Sequence, residues 1–215
     1  MDDCLHEESY KGYTIKVYHD DVTGYHDSPR DWDNLGTMLC VKHRHYLLGD
    51  EQQDADDIKE FIKENENNIV WLPLYLYDHS GLRMNTGGFH CPWDSGQVGI
   101  VYVTKERIRE EYSCKRISKA TLKKVLNVLN GEVKNYDHYI SGQIYGYIIE
   151  DEHGEDGDSC WGFYGDYEEY MLPECRSIID HDIIHRSKEA ASEAIQEIWE
   201  VQAKFDALGW IGAII

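Results

Sequence analysis

The sequence predicts an α+β fold, a largely antiparallel mixed sheet with two or three flanking helices, including a long C-terminal helix. Three observations lead there. Apolar segments of strand length recur at 13–18, 37–43, 69–77, 98–104, 143–150 and 159–164, some alternating and some continuous. Segments of helical period lie among them at 54–65 and 118–131, and after them at 187–208. The two kinds do not alternate regularly, which argues against a wound parallel sheet of βαβ units. The 215 residues show no solenoid repeat and no convincing linker. They read as one domain over 1–215, with 187–215 as a C-terminal helix and apolar tail.

Each element has its own warrant. Residues 13–18, YTIKVY, alternate as a half-buried strand should. The segment HDDVTGYHDSPRDWDN that follows is rich in turn formers and leads through Gly36 into strand 37–43. Asp54 is placed as the N-cap of helix 54–65. Asp56 and Asp57 then fall in the first turn, where the helix dipole favours acids, and Ile58, Phe61 and Ile62 form the apolar stripe. Strands 69–77 and 98–104 bracket a long loop. A basic helical stretch follows, with Lys105, Arg107, Arg109, Lys115, Arg116, Lys119, Lys123 and Lys124 relieved by Glu106, Glu110 and Glu111. Ser118 opens a helix whose face, Leu122, Val125, Leu126 and Leu129, closes near Gly131. Residues 143–150 and 159–164 form a hairpin around EDEHGEDGD. In the last helix Ala191, Ala194, Ile195, Ile198, Val201 and Phe205 make the side predicted to be buried. The tail GWIGAII is predicted to dock on the core or on a partner.

Charge narrows the function classes. A formal net charge of −20 repels nucleic-acid phosphates and anionic membranes, and suits a basic protein partner. The six cysteines form no CxxC pair and no zinc-ribbon spacing. The start MDDCLHEE lacks the basic and apolar regions of a signal peptide, and no apolar run has the length of a membrane span. The expectation is a reducing cytoplasm with free thiols.

The loop 78–97 is the richest in chemistry. His79, His90, Cys91 and Asp94 lie among Asp78, Asn85, Trp93, Gln97 and several glycines. A loop of this length inside a compact domain is usually functional or disordered, and Phe89 and Trp93 are expected to bury and hold it against the sheet. A thiol nucleophile needs a base and an orienting group in space, which His79 or His90 and Asp94 would supply to Cys91. Against this, His90 adjoins Cys91 and would project the other way on an extended backbone, and Cys91-Pro92 reads as a rigid turn. His181 and His185, at i and i+4 between acids, are weak metal-ligand candidates, since HDIIH lacks the glutamate of HExxH. His43 and His45 could share a strand face. No cofactor motif is present, and NTGGF lacks the lysine of a phosphate loop. No cofactor is expected.

Two acidic segments are candidate partner surfaces. One is the helix bearing Asp54, Asp56, Asp57, Glu60 and Glu64; the other is the hairpin tip bearing Glu150, Asp151, Glu152, Glu155, Asp156 and Asp158. Gly154 occupies a ligand position of the calcium loop, so the tip reads as a solvated turn or a phosphate-mimicking surface. Its carboxylates have no neighbouring base in sequence and are expected to stay open to a partner's Arg or Lys. The basic stretch cuts against a uniform mimic and could meet the acidic face of a second copy in a homodimer. Trp161, Phe163 and Tyr164 in DSCWGFYG echo GFHCPWDSG, and two such segments could line a pocket for a planar, nucleotide-like ligand.

Three segments, SPRDWDNLGTM, VWLPLYLYDHSGLRMNTGGFHCPWDSGQVGIVYVTKERIREEY and DSCWGFYG, resemble an uncharacterised family of small acidic hypothetical proteins from bacteriophages, prophages and plasmids. The resemblance implies a mobile-element product and carries no catalytic residues. Small acidic products of such elements often act against host defences, as anti-restriction or anti-CRISPR proteins. The leading expectation is therefore a non-enzymatic inhibitor on the basic nucleic-acid groove of a host defence protein, with no direct nucleic-acid binding and no membrane. The alternatives are a hydrolase or nuclease using loop 78–97 and a binder of nucleotide-like ligands.

Overall fold

The computed structural model describes residues 4–20 and 28–212, with side chains at 156 and 207–212 outside the description. The predicted docking of the tail 209–215 therefore falls outside the described residues. The class is α+β: two sheets, mostly antiparallel, and four α-helices, the last a long C-terminal one. The chain forms two compact units, one of residues 1–18, 147–160 and 166–215, the other of 19–146 and 161–165.

The larger unit is built on a five-stranded sheet in the order β4-β3-β7-β5-β6, from β3 (Thr37–Val41), β4 (Glu51–Gln53), β5 (Ile69–Asp78), β6 (Leu82–Asn85) and β7 (Ser95–Thr104). The long strands β5 and β7 run antiparallel, Ile69 opposite Thr104 and Tyr77 opposite Ser95, with a bulge at Leu74/Tyr75. Their apolar runs are continuous because both faces are covered. One face (Met38, Cys40, Leu74, Val101, Val103) packs with Val125, Leu129, Val133 and Tyr136 of α3 (Lys119–Ile140). The other (Leu39, Ile100, Tyr102) meets Ile58, Phe61 and Ile62 of α1 (Ala55–Asn65). Gly99 is needed where β7 passes β3, since a Cβ there would stand 2.2 Å from the Leu39 carbonyl oxygen.

Local chemistry sets the helix ends. Thr104 and Ser118 accept hydrogen bonds from the Arg107 and Thr121 amides, capping α2 (Lys105–Glu111) and α3. Asp54 sits at the N-cap of α1 but makes no capping hydrogen bond; its carboxylate lies 3.5 Å from Lys42. Helix α3 does not close at Gly131 but continues to Ile140, because Val133 and Tyr136 extend the buried face beyond it. The segment SPRDWDNLGTM is organised by Arg30, whose guanidinium donates to Asp50 at 2.8 and 2.6 Å and to the Gly36 carbonyl at 2.6 Å. Glu132 of α3 lies 3.6 Å from the same guanidinium and accepts from the Leu35 amide at 2.6 Å. Burial holds Glu132 above the usual carboxylate range, against the pull of the Leu35 and Gly36 amides and Arg30.

The smaller unit takes most of a four-stranded sheet, order β1-β2-β8-β9, from β1 (His6–Tyr10), β2 (Tyr13–His19), β8 (Ile144–Glu150) and β9 (Asp156–Tyr164). Strands β1 and β2 form an antiparallel hairpin, and β8 and β9 stand where the sequence predicts their hairpin. A π-helical turn, Tyr167–Met171, leads into α4 (Leu172–Gly212). At the start of α4, Leu172, Cys175 and Ile179 are buried. Side-chain tethers join it to the hairpin: Arg176 to Glu8 at 2.8 Å, Lys11 to Asp180 at 2.7 Å, Tyr13 to Asp182 at 2.6 Å and Tyr10 to Asp180 at 3.4 Å. From Ile184 to Asp206 every residue is exposed. This corrects the predicted burial of Ala191, Ala194, Ile195, Ile198, Val201 and Phe205: helical period marks an apolar face, but not which molecule covers it.

Candidate functional site

The loop 78–97 is shorter than its sequence suggests, because β6 folds back on β5 with Tyr75 opposite Asn85 and Asp78 opposite Leu82. The Asp78 amide donates to the Asp94 carbonyl at 2.9 Å, closing the base of the segment. Asn85 makes the turn after β6, its side-chain oxygen accepting from the Gly87 and Gly88 amides at 3.0 and 2.6 Å. Phe89 packs on Tyr77 with ring centroids 5.6 Å apart. Trp93 does not bury as predicted; it is 92% exposed. Local hydrogen bonds, rather than an indole anchor, shape the segment.

Asp94 is the hub of this segment. Its Oδ2 accepts from Cys91 Sγ at 3.3 Å and lies 3.8 Å from His79 Nδ1. His90 is exposed and makes no hydrogen bond or ion pair among the described residues. Three of the four residues singled out in the sequence thus meet, but in the order thiol, carboxylate, imidazole. Thiol activation calls for a base such as imidazole next to the sulfur, with the carboxylate behind it. The His79 side chain is 64% exposed, so the group lies at the surface.

Other histidine pairs are also local. His181 and His185 have ring centroids 6.4 Å apart, and His185 lies 3.3 Å from Glu189. His43 stacks on Tyr46 at 4.9 Å, in a bend after β3 rather than on a strand face. Among the described residues no group of three or more His, Cys, Asp or Glu side chains is placed to hold a metal ion.

The acidic segments differ in how much charge they leave open. At the hairpin tip Glu150 pairs with Lys16 at 2.5 Å, and Asp158 accepts from the Tyr147 hydroxyl at 3.3 Å. Asp151 accepts from the Glu155 and His153 amides at 3.0 and 2.8 Å, which hold its carboxyl below the usual range. These three carboxylates are engaged, contrary to the sequence expectation. Glu152 and Glu155 remain exposed, Glu152 3.7 Å from His153; the Asp156 side chain lies outside the described residues. On α1, Asp54 faces Lys42, and Asp56 pairs with Lys59 at 2.8 Å. Asp57, Glu60 and Glu64 are exposed and have no cationic partner among the described residues.

A further site was only half visible in the sequence. In the larger unit a groove of about 650 Å³ has both apolar residues, among them Trp71, Ile117, Leu122 and Leu126, and the bases Lys105, Arg109, Lys115 and Arg116 in its lining. Lys105 donates to the Asn67 carbonyl at 2.6 Å, while Arg109, Lys115 and Arg116 make no ion pair among the described residues. The basic run signals the charge, but only the fold brings it to the start of β5. A lining that mixes apolar and cationic side chains suits an anionic group carried on a planar or apolar body. Comparison with family models, curated proteins and solved structures finds no match to this chain.

Proposed function

We propose that the chain is a mobile-element anti-defence protein, an acidic non-enzymatic inhibitor that occupies a basic nucleic-acid-binding surface of a host defence nuclease complex. The observation that carries this reading is the file Asp57, Glu60, Glu64 on α1, exposed and uncompensated in a chain of net charge −20. Neighbours at such spacing stand roughly 5–6 Å apart on a helix surface, so they offer a partner's Arg and Lys side chains a row of acceptors. Glu152 and Glu155 at the hairpin tip supply a separate exposed acidic pair. The mobile-element assignment rests on the sequence segments quoted above.

The test is capture from a bacterial host lysate with mass spectrometry, comparing wild type with Asp57→Asn/Glu60→Gln/Glu64→Gln. The reading expects a nucleic-acid-binding nuclease component that elutes with salt and is lost in the variant. Capture unaffected by both salt and the substitutions would sink it. Inhibition should also be stoichiometric; substoichiometric inactivation abolished by Cys91→Ala would favour the hydrolase reading, for which Asp94 gathers Cys91 and His79.

The groove favours a second reading, a binder of a nucleotide-like ligand. Titration with a nucleoside monophosphate should quench tryptophan emission in wild type and not in Trp71→Phe, with Arg116→Gln weakening binding. No heat and no quenching at millimolar ligand would dismiss it.

A further inference from the structure

The bare stripe on α4 has a defined period. Ile184, Ala191, Ile198 and Phe205 recur every seven residues, with Ser187, Ala194 and Val201 three positions after the first three. This is the 3-4 spacing of a coiled-coil seam. Every one of these side chains is exposed, among them Ile198 at 66% and Phe205 at 68%. In globular proteins most of a helix's stability comes from packing its apolar face, so a stripe of this kind calls for a cover.

Charge complementarity chooses the cover. The positions flanking the seam on one side include Glu197 and Lys204, and on the other Ile195 and Gln202. A parallel pair of α4 helices sets Glu197 near Gln202 of the other copy and Phe205 against Phe205, with no attractive ion pair. An antiparallel pair centred between Trp199 and Glu200 places Ile198 against Val201 of the other copy and Ala194 against its Phe205. The largest side chain of the seam, Phe205, then meets an alanine, and two β-branched residues meet at its centre. In that register Glu197 lies beside Lys204 of the other copy, twice by symmetry. Sliding by one heptad in either direction brings Glu197 against Glu197, or Lys204 against Lys204. We infer that α4 is a self-association element that joins two copies of this chain as an antiparallel coiled coil through the 194–205 stripe. The proposal is independent of what the acidic surfaces bind.

Sedimentation equilibrium of the full chain across a concentration series reads the association directly. The seam is short and belongs to the small class of interfaces, so a reversible dimer in the micromolar range is expected. Ile198→Glu, at a position already in water, should leave the helical circular dichroism unchanged and weaken dimerisation by roughly a hundredfold or more. Glu197→Lys and Lys204→Glu should each weaken it by roughly tenfold. An equimolar mixture of these two single variants should associate like wild type, because each copy then supplies the charge the other lacks. A chain monomeric up to millimolar concentration, or a dimer indifferent to Ile198→Glu, overturns the proposal. Single charge variants that dimerise like wild type, or a mixture no tighter than its components, overturn the antiparallel register.

Discussion

At the scale of single residues, the larger unit depends on charges that are nearly dry. The Arg30 side chain is 5% exposed and lies between Asp50 and Glu132. Arg30→Ala would leave Glu132 and Asp50 without their cation, and breaking one partner out of such a group costs about 3–5 kcal/mol. Urea unfolding should show that loss; a change below about 1 kcal/mol would mean water replaces the guanidinium. Asp137, 6% exposed, accepts from Arg83 and from the Met84 amide, and so ties β6 to α3. The Glu8 carboxyl is held below its usual range chiefly by hydrogen bonds from Arg176. Its folded value is depressed, so its stabilising contribution is present above the ordinary Glu range and is lost as pH falls through the folded value. Glu8→Gln should flatten the acid limb of the stability curve. An unchanged acid limb would remove Glu8 from that account.

At the scale of elements, Gly131 shows what sequence punctuation leaves out. It reads as a helix end, yet it lies in the middle of α3, exposed, with open space where a Cβ would go. Gly131→Ala should therefore stabilise the chain by about 0.5–1 kcal/mol, measured by denaturant midpoint; a loss of stability would argue against a regular helix there. Most elements were legible because period and caps are local: Ser118, the apolar runs of β5 and β7, the hairpin β8–β9. The site was legible only in part. His79, Cys91 and Asp94 are close in sequence, but which of them stands in the middle depends on how the turn after β6 is wound. The groove joins residues 69–71 to 105–126, and no local pattern announces that meeting. The α4 stripe carries the same period as a core helix, so its exposure could not be read from the chain alone.

At the scale of the whole molecule, a net charge of −20 opposes compaction through self-repulsion. Raising salt from low to physiological strength should raise the thermal midpoint by several degrees; a fall would mean that the attractive pairs, such as Arg176–Glu8, outweigh the repulsion. The same charge raises the cost of bringing copies together at low salt, but one strand needs a more local guard. Strand β6 pairs with β5 only over Tyr75–Asp78, so beyond β6 the run Ile69–Leu74 lies on the outer edge of the sheet. Its sequence, IVWLPL, would otherwise template the addition of a like strand from an unfolded neighbour. Pro73 offers no amide hydrogen and cannot continue such a ladder. This imino acid thus guards the edge by covalent geometry, and it does so even where salt has screened away every charge.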